Sequence, residues 1–226
     1  MSSRKEGNMN KKRTVSISYR LLVITSLLSG IILNFVNTTS IKYLLSYYTT
    51  QSNVICLMIF IVFLIKDIKK YDSQKSNWYY ILKGMVTIAI LITAIIYLTT
   101  LLPNKLPMYT ISARGMTSKK LGNILVHIIS PILVLLDYIV FDEKGNFKLF
   151  YPLIWLLIPV GYICFVYSGK GHFYGIGGSR TFGYFFLDYQ KIGIQMTTIW
   201  IVGIAVGIII LGYFLVWIDK KLVRKH

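Results

Sequence analysis

The sequence predicts an all-α integral membrane protein: a bundle of six transmembrane helices with both termini on the cytoplasmic side. Three observations carry that expectation. Of 226 residues, 55% are hydrophobic and only 15% are charged, whereas soluble domains carry about 25% charged residues. The apolar residues gather into six runs, most of them near the ~20 residues a helix needs to cross a hydrocarbon core of ~30 Å. The basic residues mostly flank these runs, and they are denser on one side than on the other. The mean hydropathy of +0.61 agrees. With 17 Tyr, 12 Phe and 4 Trp, the chain is too aromatic for a disordered one.

The first run, Leu21–Val36, follows a basic segment over residues 1–20. No small-residue cleavage site follows it, so it is expected to stay as a signal-anchor helix. The second run is Tyr47–Ile65, the third Tyr80–Leu102 and the fourth Leu121–Phe141. The fifth, Tyr151–Tyr167, is short and holds Pro152 and Pro159. A first helical turn tolerates Pro152, and Pro159 should kink the span. The sixth run is Met196–Ile218, where Gly203-x-x-x-Gly207 should let another helix of the bundle approach closely. Residues 21–218 thus form the membrane domain, and residues 219–226 a basic cytoplasmic tail.

With the amino terminus inside, Lys11-Lys12-Arg13, Lys66, Lys69, Lys70, Lys220, Lys221, Arg224 and Lys225 fall on the inner side. The outer side holds fewer basic residues, among them Lys42, Lys105, Lys119 and Lys120. A net charge of +17 in a soluble protein would point to nucleic acid. At helix flanks it points instead to anionic membrane lipid, and no nucleic-acid partner is expected. The Ile-, Lys-, Tyr- and Asn-rich composition suggests a low-GC bacterium, hence a bacterial plasma membrane.

The longest connection, Ser168–Gln195, carries Gly169, Gly171, Gly175, Gly177 and Gly178. It lacks the Gly-Lys-Ser/Thr ending of a phosphate-binding loop and the flanks of a dinucleotide fingerprint, so a flexible outer loop is expected. Cys56 and Cys164 lie in apolar runs and are expected to be buried small hydrophobes. One histidine inside a span, without Cys or a second His beside it, cannot build a zinc site. No metal and no cofactor are expected.

The informative residues are polar groups inside apolar spans, which tend to face the bundle interior and to mark function. The second run opens with Thr49-Thr50-Gln51-Ser52-Asn53, and the fourth holds Asn123, His127, Ser130 and Asp137. Asn123 and His127 are four residues apart and share a helix face. Asp137 lies ten residues beyond His127, about 15 Å along a helix, so it cannot orient the imidazole directly. Both runs head from outside to inside. Thr49, Thr50 and His127 should therefore sit at similar depth under the outer surface, with Tyr184-Phe185-Phe186-Leu187-Asp188 on the same side. A hydroxyl, an imidazole and a carboxylate can meet there, which is the inventory for nucleophilic acyl transfer.

Asn123-x-x-x-His127 followed by Asp137 resembles the fourth-helix motif of the androgen-induced and androgen-dependent membrane threonine hydrolases. Those multi-span proteins cleave fatty acid esters of hydroxy fatty acids. Tyr48-Thr49-Thr50-Gln51-Ser52-Asn53, His127-x-x-x-Pro131, Leu135-Leu136-Asp137-Tyr138 and Phe186-Leu187-Asp188 are closer still to a bacterial branch of that family, the Pr-six-Pr membrane proteins. The resemblance covers about residues 20 to 217. It implies a Thr nucleophile and His127 as base. Spacing before Asn53 selects Thr50, and the preceding aromatic run selects Thr49; Thr50 is preferred and both are kept. Pro131 stands one residue closer to the histidine than in the hydrolases, and Phe185 replaces a Pro.

The resulting expectation is an intramembrane lipid-ester hydrolase acting on a long-chain ester from the outer leaflet. Asp188 or Asn123 would orient His127, and Asn53 would donate to the oxyanion. The alternative is a non-catalytic membrane protein, a small-ligand binder or a proton-linked transporter, in which Asp137 and His127 line a polar path.

Overall fold

A computed structural model describes residues 2–38, 40–69, 76–101, 117–169, 172–174 and 180–223. Among the described residues the regular elements are helices apart from one small hairpin. Helix α1 (Ser2–Val36) leads through the single turn α2 (Ile41–Leu45) into α3 (Tyr48–Ile68). Helix α4 (Asn77–Ile96) ends in a π-helical turn at Tyr97–Leu101. Helix α5 (Ser118–Ile124) runs through a second π turn, Leu125–Ile129, into α6 (Ser130–Phe141). Then come α7 (Tyr151–Trp155), α8 (Leu157–Tyr167), strands β1 (His172–Tyr174) and β2 (Arg180–Phe182), and α9 (Tyr189–Lys221).

Among the described residues five helical segments are long and apolar enough to cross a membrane: Lys11–Val36, Tyr48–Ile68, Asn77–Thr100, Ser118–Phe141 and Tyr189–Lys221. The fifth expected run, Tyr151–Tyr167, is helical and apolar but shorter. It breaks at Leu156, between α7 and α8. Pro159 explains the place of the break, because it has no N–H for the carbonyl of Trp155 and its ring crowds that carbonyl. Helix α1 packs on α3, α5 and α6, while α4 packs on α3, α6 and α7. Phe60, Phe63, Val86, Ile88, Tyr138 and Trp155 are buried in the shared core. The α4–α7 contact requires glycine at position 84, where a Cβ would overlap the Trp155 ring.

Several expectations change. Residues 2–20 are helical and continuous with the first run in α1. Arg13 donates to the carbonyls of Asp67 (2.6 Å) and Ile68 (2.7 Å), and Ser16 to the Asp67 carboxylate (2.8 Å). These are carbonyls that the C-terminus of α3 leaves without helical partners. The last helix also outruns Met196–Ile218 at both ends. It starts at Tyr189, is interrupted at Gly193 (φ +80°), and continues to Lys221. Asp219, assigned to the tail by sequence, is buried; it accepts from Tyr138 Oη (2.5 Å) and from the Phe147 amide (2.8 Å).

Among the described residues nothing packs closely on Gly203 or Gly207, because a Cβ at either would meet nothing within 4 Å. The close approach to α9 is made at Gly212 instead, where a Cβ would lie 2.8 Å from Pro152. Cys56 is buried, but Cys164 is exposed on α8. The glycine-rich connection holds an antiparallel pairing of β1 with β2, Phe173 opposite Thr181. Leu102, Gly171, Gly175, Gly177, Gly178, Lys70, Lys105, Arg224 and Lys225 lie outside the described residues.

Candidate active site

Local sequence chemistry builds each part of the site. Helix α3 begins at Tyr48, and its first intrahelical bond runs from the Gln51 amide to the Tyr47 carbonyl (3.2 Å). The amide of Thr49 therefore has no partner within the helix. It donates to Tyr184 Oη instead, at 3.4 Å. Across from it, His127 lies in the π turn before α6. Pro131 accounts for that turn. It cannot donate to the His127 carbonyl four residues back and would crowd it, and the chain relaxes by letting the Ser130 amide reach Leu125.

Thr49 Oγ1 lies 3.2 Å from His127 Nε2 and 3.3 Å from Tyr184 Oη. His127 Nδ1 lies 2.9 Å from the Asn123 carbonyl. A carbonyl only accepts, so Nδ1 carries the ring hydrogen and Nε2 turns a lone pair toward Thr49. The Thr49 hydroxyl then donates to Nε2, and the Tyr184 phenol donates to Thr49 Oγ1. Tyr97, at the end of α4, stacks on the imidazole with centroids 4.2 Å apart and fixes the ring plane. His127 is buried.

The two candidate threonines separate cleanly. Thr49 meets the imidazole. Thr50, one residue and ~100° further round the helix, is buried and lines the same cavity without a bond to His127. The geometry brings Thr49, the second of the two candidates, against His127. Asn123 supports the imidazole through its backbone carbonyl rather than its side chain. Asp188 stands elsewhere: its carboxylate pairs with Lys191 (3.2 Å) and its carbonyl accepts the first amides of α9. Asn53 is fully buried, and its amide nitrogen is committed to the carbonyls of Thr49 (2.8 Å) and Val126 (3.4 Å). It ties α3 to the π turn instead of offering a donor to the cavity.

Asp137 belongs to the other end of the bundle. It is fully buried and forms ion pairs with Lys83 and with Arg20 (3.3 Å), both themselves buried. Asp142 lies 3.2 Å from Lys83 and 3.7 Å from Arg20, and Asp67 lies 2.8 Å from Arg20. Sequence reasoning missed Arg20 and Lys83. The available signal was that both lie within or against apolar runs rather than in a flanking cluster. It also missed Tyr184, quoting that segment only for its carboxylate.

Thr49 and Tyr184 stand in the walls of two cavities. One, of about 520 Å³, is polar and lined by Asn34, Asn37, Tyr43, Lys119, Asn123 and His127. The other, of about 170 Å³, is walled by Ile92, Ile96, Val160, Ile163, Ile204 and Ile208. Its rim includes the exposed Cys164 and Val160, on the apolar outside of α8. Among the described residues no group of His, Cys, Asp and Glu is arranged to hold a metal ion.

No protein-family model matches the chain, and neither a curated protein nor a solved structure is significantly similar to it.

Proposed function

We propose that this protein hydrolyses lipid esters within the membrane, with Thr49 as nucleophile and His127 as general base. The observation that carries this reading is the hydrogen-bonded chain from Tyr184 through Thr49 to His127 and on to the Asn123 carbonyl. It sets the imidazole tautomer that can accept the threonine proton. The two cavities add a place for each half of an amphiphilic ester. The sequence resemblance to the membrane threonine hydrolases points the same way.

In the first half-reaction Thr49 Oγ1 attacks the acyl carbon and its proton passes to His127 Nε2. The alkoxide leaves with that proton, and the acyl group stays on Thr49. Water then repeats the sequence and releases the fatty acid. We place six spans in a bacterial plasma membrane, counting the short broken segment α7–α8, with both termini in the cytoplasm. The basic flanks support this orientation, which puts Thr49 and His127 toward the outer leaflet.

The test is hydrolysis of a panel of long-chain acyl esters by the full chain in detergent. Thr49→Ala and His127→Ala should each lose at least about 100-fold in turnover, the scale of general-base catalysis. Thr50→Ala should lose at least about tenfold less than Thr49→Ala, since only its packing is affected. Turnover unchanged in His127→Ala would overturn the mechanism.

A further inference from the structure

A threonine nucleophile needs donors for the negative charge that develops on the carbonyl oxygen. With the Asn53 amide spent on two backbone carbonyls, the site must draw them from elsewhere. We propose that Tyr184 is a catalytic residue, its phenol forming the oxyanion hole together with the backbone amide of Thr49. This rests on the hydrolase reading above.

The geometry converges on one point. Tyr184 Oη is 3.3 Å from the attacking oxygen and 3.4 Å from the Thr49 amide nitrogen. In the resting site the phenol stands beside the place that an oxyanion bonded to the adjacent acyl carbon would take up, within reach of both donors. Attack uses a lone pair of Oγ1 to form the new C–O bond, and the carbonyl π pair moves onto its oxygen. The Oγ1 lone pair that accepted from the phenol is withdrawn, and the Tyr184 O–H turns to the new oxyanion one bond further out. The Thr49 N–H, released from Tyr184 Oη, is the second donor. It lies in the first turn of a 21-residue helix, where the helix dipole also favours negative charge. When the intermediate collapses, the pair returns to the carbonyl and the phenol returns to Oγ1. No proton leaves Tyr184 at any stage.

The ring is built to hold that position. Tyr184 is buried, stacked on Phe186 (5.2 Å) and set edge-on to Tyr47 (5.5 Å) and Tyr162 (6.2 Å). Burial pushes the phenol above its ordinary range, although the hydrogen bond it accepts from the Thr49 amide pulls the other way, so the donor stays protonated as the pH rises. Tyr184 lines both the polar and the apolar cavity, and the ester carbon of a bipartite substrate has to lie between the two.

The experiment compares wild type with Tyr184→Phe, which keeps the ring and its packing. A long-chain alkyl trifluoromethyl ketone mimics the tetrahedral adduct, and a fluorophosphonate reports the nucleophile. Losing one oxyanion donor should lower kcat by about 100-fold or more with KM changed less than about threefold. Inhibition by the ketone should weaken by a similar factor, while slow fluorophosphonate attachment at Thr49 persists. A fluorinated tyrosine at position 184, which retains the donor, should restore turnover to within about threefold of wild type. The proposal is overturned if Tyr184→Phe turns over like wild type. It is equally overturned if ketone and ester binding weaken together, or if the fluorinated residue fails to rescue. A wild-type protein that neither cleaves any ester nor takes up fluorophosphonate at Thr49 removes the hydrolase reading itself, and this proposal with it.

Discussion

The two ends of the bundle spend their polar groups in opposite ways. At one end Arg20 and Lys83 face Asp67, Asp137 and Asp142 in a network of ion pairs, and four of the five are buried. These groups join α1, α3, α4, α6 and the residue that follows α6. At the other end Thr49, His127 and Tyr184 are held by a few neutral hydrogen bonds, against two cavities. Removing one member of a buried ion pair leaves the other charge without compensation in a low dielectric, which is costly. A neutral hydroxyl or imidazole can lose its partner far more cheaply. One end is therefore suited to fixing helices, and the other can release and remake bonds during a reaction.

If Thr49 and His127 act as proposed, substitutions at their end should give the largest effects and leave the fold alone. Thr49→Ala and His127→Ala are expected to lose two or more orders of magnitude in turnover, while the detergent melting temperature stays within a few degrees. Lys83→Met should do the reverse. It takes the nearer cation from Asp137 and Asp142 and leaves Arg20 to face both, and a loss of about 3–5 kcal/mol of stability is expected from denaturant titration. The folded fraction should still cleave ester, since Lys83 makes no contact with Thr49 or His127. Adding Asp137→Leu to Lys83→Met should recover part of that stability, because a well-packed apolar pair can replace a buried ionic one. If Lys83→Met abolished turnover in folded protein, the two ends would be coupled and the division would fail.

An intermediate effect is expected at Pro131. Alanine there supplies an amide for the His127 carbonyl and removes the reason for the π turn. Closing that turn to a regular helix would rotate His127 by ~100° relative to α6. Pro131→Ala should therefore keep or raise thermal stability yet lose at least about tenfold in kcat. Measured together, the two numbers separate a site strained for function from one that is merely well packed.

What the sequence disclosed follows the same division. Apolar runs and basic flanks announce a membrane bundle because span length and charge are set by the bilayer. His127 and the hydroxyl cluster could be found as polar residues at matching depth. The choice between Thr49 and Thr50 could not, because it is an angular difference fixed only when Tyr47 caps α3. Asp188 was misread because a carboxylate near a helix start reads equally as a cap and as a partner for histidine. The charged end was half visible. Asp137 stood out as an acid in a span, but Lys83 is 54 residues away in sequence, and only the packing of α4 on α6 pairs them. The GxxxG pattern failed for a related reason, since small residues permit close approach without saying whether another helix comes.

The smallest predicted effects concern those glycines, and they sharpen the comparison at the level of packing. Gly84 lies against the Trp155 ring near Lys83, in the closely packed charged half, where a methyl group has no room. Gly84→Ala should cost about 1–3 kcal/mol by overpacking, and Trp155 fluorescence should shift as the ring is displaced. Gly203 faces open space on the α9 side of an apolar groove next to Phe186 and Trp200. There alanine gains up to about 1 kcal/mol of helix propensity with nothing to displace, so Gly203→Ala should be neutral or mildly stabilising. A second copy docking on that face would reverse the sign: Gly203→Ala would then lower the melting temperature in a protein-concentration-dependent way, as association-linked stability requires. Equal penalties at both glycines, independent of concentration, would mean that α9 is packed as tightly along this face as α4 is against α7, contrary to the open groove seen beside Gly203 and Gly207.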